Sequence, residues 1–278
     1  MGSWYDEVFA ERVRFGLKIR RVLYSGQSDH QKIEILDTVQ FGRVLALDGI
    51  FMTSEADEYF YHEMLVHPAM TTAPRIRRVL VIGGGDGGTI REVLRHPEVE
   101  SAVLVEIDGR VVEVCREHLS SIGTAWDDPR LEVVVGDGVA FAREADVEPF
   151  DVILLDGCDP VGPSEGLFNE SFFRDCARLL PPDGVFAMQS ETPVFMRDVF
   201  LDIVHTLRRV LGHAWPYFGS VPLYSAGMWT WTFASRTVDP LDLIDERAER
   251  LEAVTRYYNR EIHLASLAVP NELKQQLQ

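Results

Sequence analysis

The chain has 278 residues, 46% hydrophobic and 26% charged, with 27 basic against 44 acidic side chains and a formal charge of −17. That length fits one large domain, or an ordinary domain with a small one, and the composition supports a packed core rather than disorder. The acidity argues against nucleic-acid partners, which need phosphate neutralisation, and favours cationic ligands.

The opening stretch MGSWYDEVFAERV carries no apolar segment of a secretory signal. No run approaches the roughly 20 apolar residues that span a bilayer. Cys115, Cys158 and Cys176 are few, odd in number and widely spaced. They read as reduced thiols, so a cytoplasmic protein with no membrane partner is expected.

Segments 18–26, 31–37, 42–47 and 50–53 are short and partly alternating, with Gly26, Gly42 and Asp48-Gly49 between them. That is a hairpin pattern, and it predicts a small antiparallel β domain over residues 1–55. From there the period changes. EADEYFYHEMLVHPAM predicts a helix that stops near Pro68. RRVLVIGGGDGGTIREVLRH, SAVLVEIDGRVVEVCREHL and LEVVVGDGVAFAREA each read strand, turn, helix, and FDVILLDGCDP and GVFAMQSE add two strands. Strands alternating with helices predict an α/β, doubly wound parallel sheet over residues 56–278, with a mostly helical tail from about residue 240.

Gly83 to Gly88 form a glycine loop between a strand and a helix, the setting of a ligand loop. Asp86 stands where a pyrophosphate would lie, and a carboxylate is a poor neighbour for phosphates. A nucleoside without phosphates fits better. Glu106 ends the next strand and can accept both ribose hydroxyls, and Asp137-Gly138 ends the third strand and can reach an adenine amino group. This is an S-adenosylmethionine-type, Rossmann-like layout. The alternative is that Glu106 and Asp137 are only strand-end caps. S-adenosylmethionine carries a carboxylate on its methionine arm, and its decarboxylated form carries only an ammonium. At ~4 Å and an effective dielectric of about 20, Asp86 prefers the second by about 4 kcal/mol.

Asp156 and Asp159 end the fourth strand beside the same crevice, in LLDGCDPVGPSEG, where Pro160, Gly162 and Pro163 forbid a regular continuation. A sulfonium transfers a carbon chain by displacement. An amine nucleophile with a pKa near ~10.4 needs about 4 kcal/mol to be neutral at pH ~7.4. A carboxylate can orient it and take its proton. Neither a metal nor a bound cofactor is required. The alternative is a turn with two solvated acids.

At these residues the chain resembles the polyamine aminopropyltransferases, typified by spermidine synthase. The resemblance covers nearly the whole chain and rests on FGRVLALDG, YHEM, VLVIGGGDGG, VEID, GDG, the Asp156-to-Pro163 stretch and RYYNREIHLAS. It implies a homodimer of small β domains joined to Rossmann-like domains. The implied reaction moves an aminopropyl group from decarboxylated S-adenosylmethionine, a co-substrate, to a diamine or polyamine. It implies Asp156 as proton acceptor, Asp159 as amine holder and Tyr224 close to the reacting amine. Donor contacts are implied for Gln31, Asp86, Glu106, Asp137, Gly138 and Pro163. Acceptor contacts are implied for Tyr61, His62, Asp86, Asp156, Asp159 and Tyr224.

Met52, Ala56, Gly157-Cys158, Val194 and Ala226 depart from the common family pattern. They reshape pocket walls and leave the carboxylates in place. Putrescine is the expected acceptor, with cadaverine, agmatine and spermidine as alternatives. Three other functions share part of the pattern: an S-adenosylmethionine-dependent amine methyltransferase, a non-catalytic polyamine binder and an NAD-linked dehydrogenase. Asp86 argues against the first and the last. His62 and His67 lie at i and i+5, which is not the zinc-helix spacing. Cys158, beside acids, is expected to line the pocket as a thiol. Trp4, Tyr5, Trp229 and Trp231 are candidates for an amine cleft or for core.

Overall fold

Residues 3–9, 11, 13–159 and 166–277 are described by the structure, a computed structural model of the chain. Five strands open it: β1 (Ser3–Phe9), β2 (Val13–Gln27), β3 (Lys32–Thr38), β4 (Arg43–Leu47) and β5 (Ile50–Ser54). They pair antiparallel in sequence order. The period of two explains why the central strands are buried on both faces. Ile33, Ile35, Leu45 and Leu47 point one way, against Val111, Val114 and Cys115 of a later helix. Leu36, Val44 and Ala46 point the other way, against Leu17, Ile19 and Leu223. The expected Asp48-Gly49 turn is present, with φ of 49° and 87°. Positive φ at both residues is what a two-residue hairpin needs. Two features differ from expectation. Strand β1 was not anticipated, and β2 begins at Val13 rather than near residue 18. Their outer residues are mostly exposed and polar, so the apolar signal is thin.

Helix α1 (Glu58–Thr72) does not stop at Pro68, as expected, but runs through it. Proline has no N–H to give the carbonyl four residues back. That carbonyl, Met64 O, accepts from the Tyr217 hydroxyl at 3.0 Å instead. A partner distant in sequence thus replaces the lost helix bond, which no local pattern reveals.

Strands β6 (Arg78–Gly83), β7 (Ser101–Glu106), β8 (Leu131–Val135), β9 (Val152–Asp156) and β10 (Val185–Gln189) form the parallel part of a second sheet. Two further strands, β11 (His213–Ser220) and β12 (Met228–Ser235), join it antiparallel. The full order is β11-β12-β10-β9-β6-β7-β8. The expected all-parallel sheet is therefore mixed. Residues 221–227 are too few for a crossover, so β11 and β12 can only be antiparallel neighbours. Helices α2 (Gly88–Leu94), α3 (Gly109–His118), α4 (Gly138–Glu144), α5 (Glu170–Arg178) and α6 (Arg197–Leu211) cover the sheet, and α7 (Asp245–Glu252), α8 (Arg260–Ser266) and α9 (Asn271–Lys274) form the tail. Alternate residues of β6 face opposite cores: Val79 and Val81 one, Leu80 and Ile82 the other. The order reverses between β6 and β9, which opens a crevice at their carboxyl ends. Among the described residues, no helix is long and apolar enough to cross a membrane.

Candidate active site

The crevice is closed at its floor by backbone. Gly83 pairs with Asp156 across β6 and β9, and the Gly84 N–H donates to Asp156 O at 3.0 Å. A Cβ on Gly83 would lie 2.1 Å from that carbonyl oxygen, and one on Gly84 2.8 Å from Asp156 Oδ2. Both have φ near +80°, at 81° and 76°, so glycine is required twice over. Above this floor lies a cavity of about 450 Å³, lined among others by Gln31, Asp86, Glu106, Asp137 and Asp156. A chamber of about 50 Å³ adjoins it, and Phe9, Met52, Tyr61, Asp159 and Tyr224 line both.

One end of the large cavity is built to accept hydroxyl and amino donors. Glu106 Oε2 accepts from Gly85 N at 3.1 Å and Oε1 from Asp108 N at 2.9 Å. Burial, with the charge of Asp108, pushes its carboxyl up to about 7. Asp108 caps α3 through Arg110 N at 3.0 Å and holds Gln31 Nε2 at 3.1 Å. Asp137 caps α4 through Val139 N at 2.8 Å. Glu106 and Asp137 are therefore strand-end caps and cavity wall together. Gly138 lines the same cavity, and a Cβ there would meet Ile82 at 2.4 Å. Pro163, with Pro160 and Gly162, lies outside the described residues.

Behind the glycine loop runs a buried line of alternating charge. Asp86 Oδ1 accepts from Gly88 N at 2.7 Å, and Oδ2 lies 3.4 Å from His62 Nε2. His62 Nδ1 is 2.7 Å from Glu58 Oε2, which also pairs with Arg91 at 2.7 Å. Burial alone would discharge the imidazole. Asp86 and then Glu58 outweigh it and hold His62 protonated, well above the ordinary histidine range. Burial likewise opposes the Asp86 charge, but His62, the Gly88 amide and Arg91 hold that carboxyl below its usual value. Gly88 makes room for this, since a Cβ there would sit 2.2 Å from the His62 ring. His62 thus stands between two carboxylates and also contributes to the wall of the large cavity.

Asp156 stands at the junction of cavity and chamber. Its Oδ1 accepts from the Tyr61 hydroxyl at 2.8 Å and its Oδ2 from Thr89 Oγ1 at 2.6 Å. Burial and the charge of Asp86 raise its carboxyl, and His62, Thr89 and Tyr61 only partly oppose them. A carboxylate so held is a stronger base than one in water and has both oxygens oriented. Asp159 lies on the chamber wall, its carboxyl also raised by burial. The Tyr224 hydroxyl donates to Met52 O at 2.8 Å, and its ring meets Trp229 edge-on at 4.6 Å. It joins the two sheets and forms wall. Asp57 holds the adjoining loop through Leu223 N at 2.6 Å. Cys158 lines the pocket as a thiol pushed up by burial. Of the aromatic candidates, Trp229 lines the chamber, Trp231 is core and Trp4 is exposed.

Sequence reasoning missed Thr89, Glu7, Gln189 and Glu191. Thr89 follows the glycine loop directly. Glu191 follows β10 as the other acids follow their strands, so the strand-end rule could have found it. Glu7 sits on β1, which was not anticipated. Among the described residues, no His, Cys, Asp and Glu group is arranged to hold a metal ion.

Comparison with known proteins agrees with this geometry. Residues 58–242 match the spermine/spermidine synthase domain, and residues 3–55 match the spermidine synthase tetramerisation domain. A polyamine aminopropyltransferase of Prochlorococcus marinus is 51% identical over 84% of this chain and 81% of its own length. One from Thermotoga maritima is 43% identical over 99% and 93%. A crystal structure of spermidine synthase in complex with the transition-state analogue AdoDATO superposes with a TM-score of 0.96, at 42% identity over 99% of this chain and 94% of that one. The spermidine synthase of Thermotoga maritima superposes with 0.93. The chain belongs to the spermine/spermidine synthase family, and it is an enzyme of the polyamine aminopropyltransferase class.

Proposed function

We propose that the enzyme transfers the aminopropyl group of decarboxylated S-adenosylmethionine to putrescine, giving spermidine and methylthioadenosine. Gln31, Glu106, Asp137 and Gly138 hold the nucleoside. Asp86 meets the aminopropyl ammonium, with His62 fixing it from behind. The acceptor amine lies against Asp156. Its lone pair attacks the carbon beside the sulfonium, the C–N bond forms, and the C–S pair returns to sulfur. The proton leaves the new ammonium for Asp156 and then for solvent. Tyr61 orients Asp156, Tyr224 walls the reacting amine, and Asp159 holds the acceptor's second ammonium.

The observation that carries this reading is Asp156, doubly hydrogen-bonded and raised in pKa, at the mouth of a chamber that ends on further carboxyls. We also read the protein as a cytoplasmic homo-oligomer assembled through the N-terminal sheet, with a dimer as its unit. The matched tetramerisation domain over residues 3–55 supports assembly there. The test is methylthioadenosine release with putrescine, cadaverine, agmatine and spermidine in separate reactions. Highest kcat/KM with putrescine supports the acceptor, and a higher value with another amine replaces it.

A further inference from the structure

Helix α1 presents Tyr61 and His62 to the site, and the C-terminal tail grips its other side. Successive helix residues are about 100° apart, so Glu63, two residues on, projects away from Tyr61. Glu63 is buried, at 1% exposure. Its carboxylate meets three consecutive backbone N–H groups of the loop between α7 and α8: Oε1 accepts from Arg256 N at 2.8 Å, and Oε2 from Tyr257 N at 2.7 Å and Tyr258 N at 2.8 Å. The same loop touches α1 one turn earlier. The Tyr257 ring lies 4.5 Å from that of Phe60, and the Arg256 guanidinium lies 3.7 Å over the ring of Tyr59. Residues three and four apart share a helix face, so Tyr59, Phe60 and Glu63 form one contact with the loop.

The tail also closes the far end of α1. Arg247 of α7 donates to Met70 O at 3.1 Å and to Ala73 O at 2.6 Å, and Ile244 N donates to Thr71 O at 2.8 Å. The last carbonyls of a helix have no partner within it, and a cation there also suits the helix dipole. Support from outside matters for α1, because Pro68 breaks its ladder.

Glu63 lines neither the cavity nor the chamber, so it can act only through α1. Tyr61 depends on how α1 is set. Its hydroxyl reaches Asp156 Oδ1 at 2.8 Å, and a small roll of the helix would draw it out of hydrogen-bond range. His62 is anchored separately, by Asp86 and, through Glu58, by Arg91.

We propose that Glu63 is a positioning residue: by fastening α1 to the α7–α8 loop, it sets the helix rotation that brings the Tyr61 hydroxyl onto Asp156. The inference rests on the reading of Asp156 as the group that takes the acceptor's proton. A residue that acts through Tyr61 costs no more than Tyr61 itself, and the two losses overlap rather than add.

The test is a double-mutant cycle on kcat with Glu63→Gln and Tyr61→Phe. Glutamine keeps the shape but turns an amide NH₂ towards backbone N–H groups, so at least one of the three bonds is lost. Alone, Glu63→Gln lowers kcat by about tenfold. It leaves the KM for decarboxylated S-adenosylmethionine within about twofold, because the nucleoside contacts lie off α1. In the Tyr61→Phe background it lowers kcat by no more than about twofold. Equal losses in both backgrounds overturn the proposal, as does a lower melting temperature with unchanged kcat. Should Glu63→Gln fail to fold, Tyr257→Leu decides in the same cycle, since it loosens the loop from Phe60 and leaves the three backbone bonds in place. A kcat loss that disappears in the Tyr61→Phe background supports the proposal, and an additive loss or none overturns it. Wild-type turnover with additive losses refutes the inference alone. An Asp156→Asn variant that keeps the wild-type kcat refutes the functional reading and the inference with it.

Discussion

The Tyr61 hydroxyl donates to Asp156 Oδ1 at 2.8 Å, while Thr89 donates to Oδ2 at 2.6 Å. Tyr61 comes from α1 and Thr89 from α2, so two helices fix the carboxylate that terminates β9. Its orientation is set before an acceptor arrives, and little reorganisation remains for the reaction. Asp156→Asn keeps the shape and both neighbours but cannot take a proton. We expect kcat to fall by about 10²–10⁴, with methylthioadenosine affinity within a few-fold of wild type. Turnover assays and a binding titration on the same variant check both parts.

Glu106 links donor binding to pH. Its carboxyl is pushed up to about 7, chiefly by burial. Ribose hydroxyls donate to the ionised form. Nucleoside affinity therefore weakens as pH falls below about 7, and binding there releases a proton. The stability sign is the reverse. The free protein holds Glu106's contribution fully below its unfolded value of about 4.3 and loses it as pH rises through about 7. Bound nucleoside offsets that loss. Glu106→Gln should weaken methylthioadenosine by about 1.5–3 kcal/mol and flatten its pH dependence. Calorimetric titration across neutrality reads both effects.

His62 neutralises Asp86 and Glu58 from between them. His62→Leu leaves buried carboxylates short of a cation, and a loss of about 3–5 kcal/mol is expected. The imidazole's folded pKa is raised, so its contribution is complete below the unfolded value of about 6.5. Above that value it shrinks progressively and is gone once pH passes the much higher folded value. Urea unfolding should show the full gap between wild type and variant below about pH 6.5, a gap still largely present at neutral pH, and its loss in alkali.

Gly84→Ala combines a φ of 76° with a Cβ 2.8 Å from Asp156 Oδ2. The backbone strain is about 1–2 kcal/mol. The larger effect is displacement of Asp156, so kcat should fall more than stability does. Parallel turnover and denaturation curves separate the two.

Tyr217→Phe removes only the hydroxyl that replaces the proline-broken bond of α1. An unpaired buried carbonyl costs about 1–3 kcal/mol. The melting temperature should drop while KM for either substrate stays unchanged. An unchanged melting temperature would mean that the helix tolerates Pro68 without this bond.

The acids of the cavity were legible because strand ends are legible. VLVIGGGDGG, VEID, GDG and VILLD each mark where a buried run stops, and topology brings those stops to one edge. Residues placed by tertiary contact were not legible. Tyr217 reaches Met64 across 153 residues, and nothing near Pro68 announces it. His62 lines the large cavity, and the fold also sets it between Glu58 and Asp86, a buried pairing that depends on Gly88 leaving room for its ring and that no local pattern announces. Glu7 depends on β1, whose apolar alternation is too weak to read alone. Antiparallel β12 is nearly all buried although Thr230 and Thr232 alternate with Trp229, Trp231 and Phe233, and its pairing direction is fixed by the short connection from β11.

The transferred group is a carbon chain rather than a methyl group. The most direct measurement gives the purified enzyme putrescine with equal concentrations of decarboxylated S-adenosylmethionine and S-adenosylmethionine, and identifies the products by mass. We expect spermidine and methylthioadenosine in equal amounts, with almost no S-adenosylhomocysteine. Methylated putrescine with S-adenosylhomocysteine as the main products would contradict it.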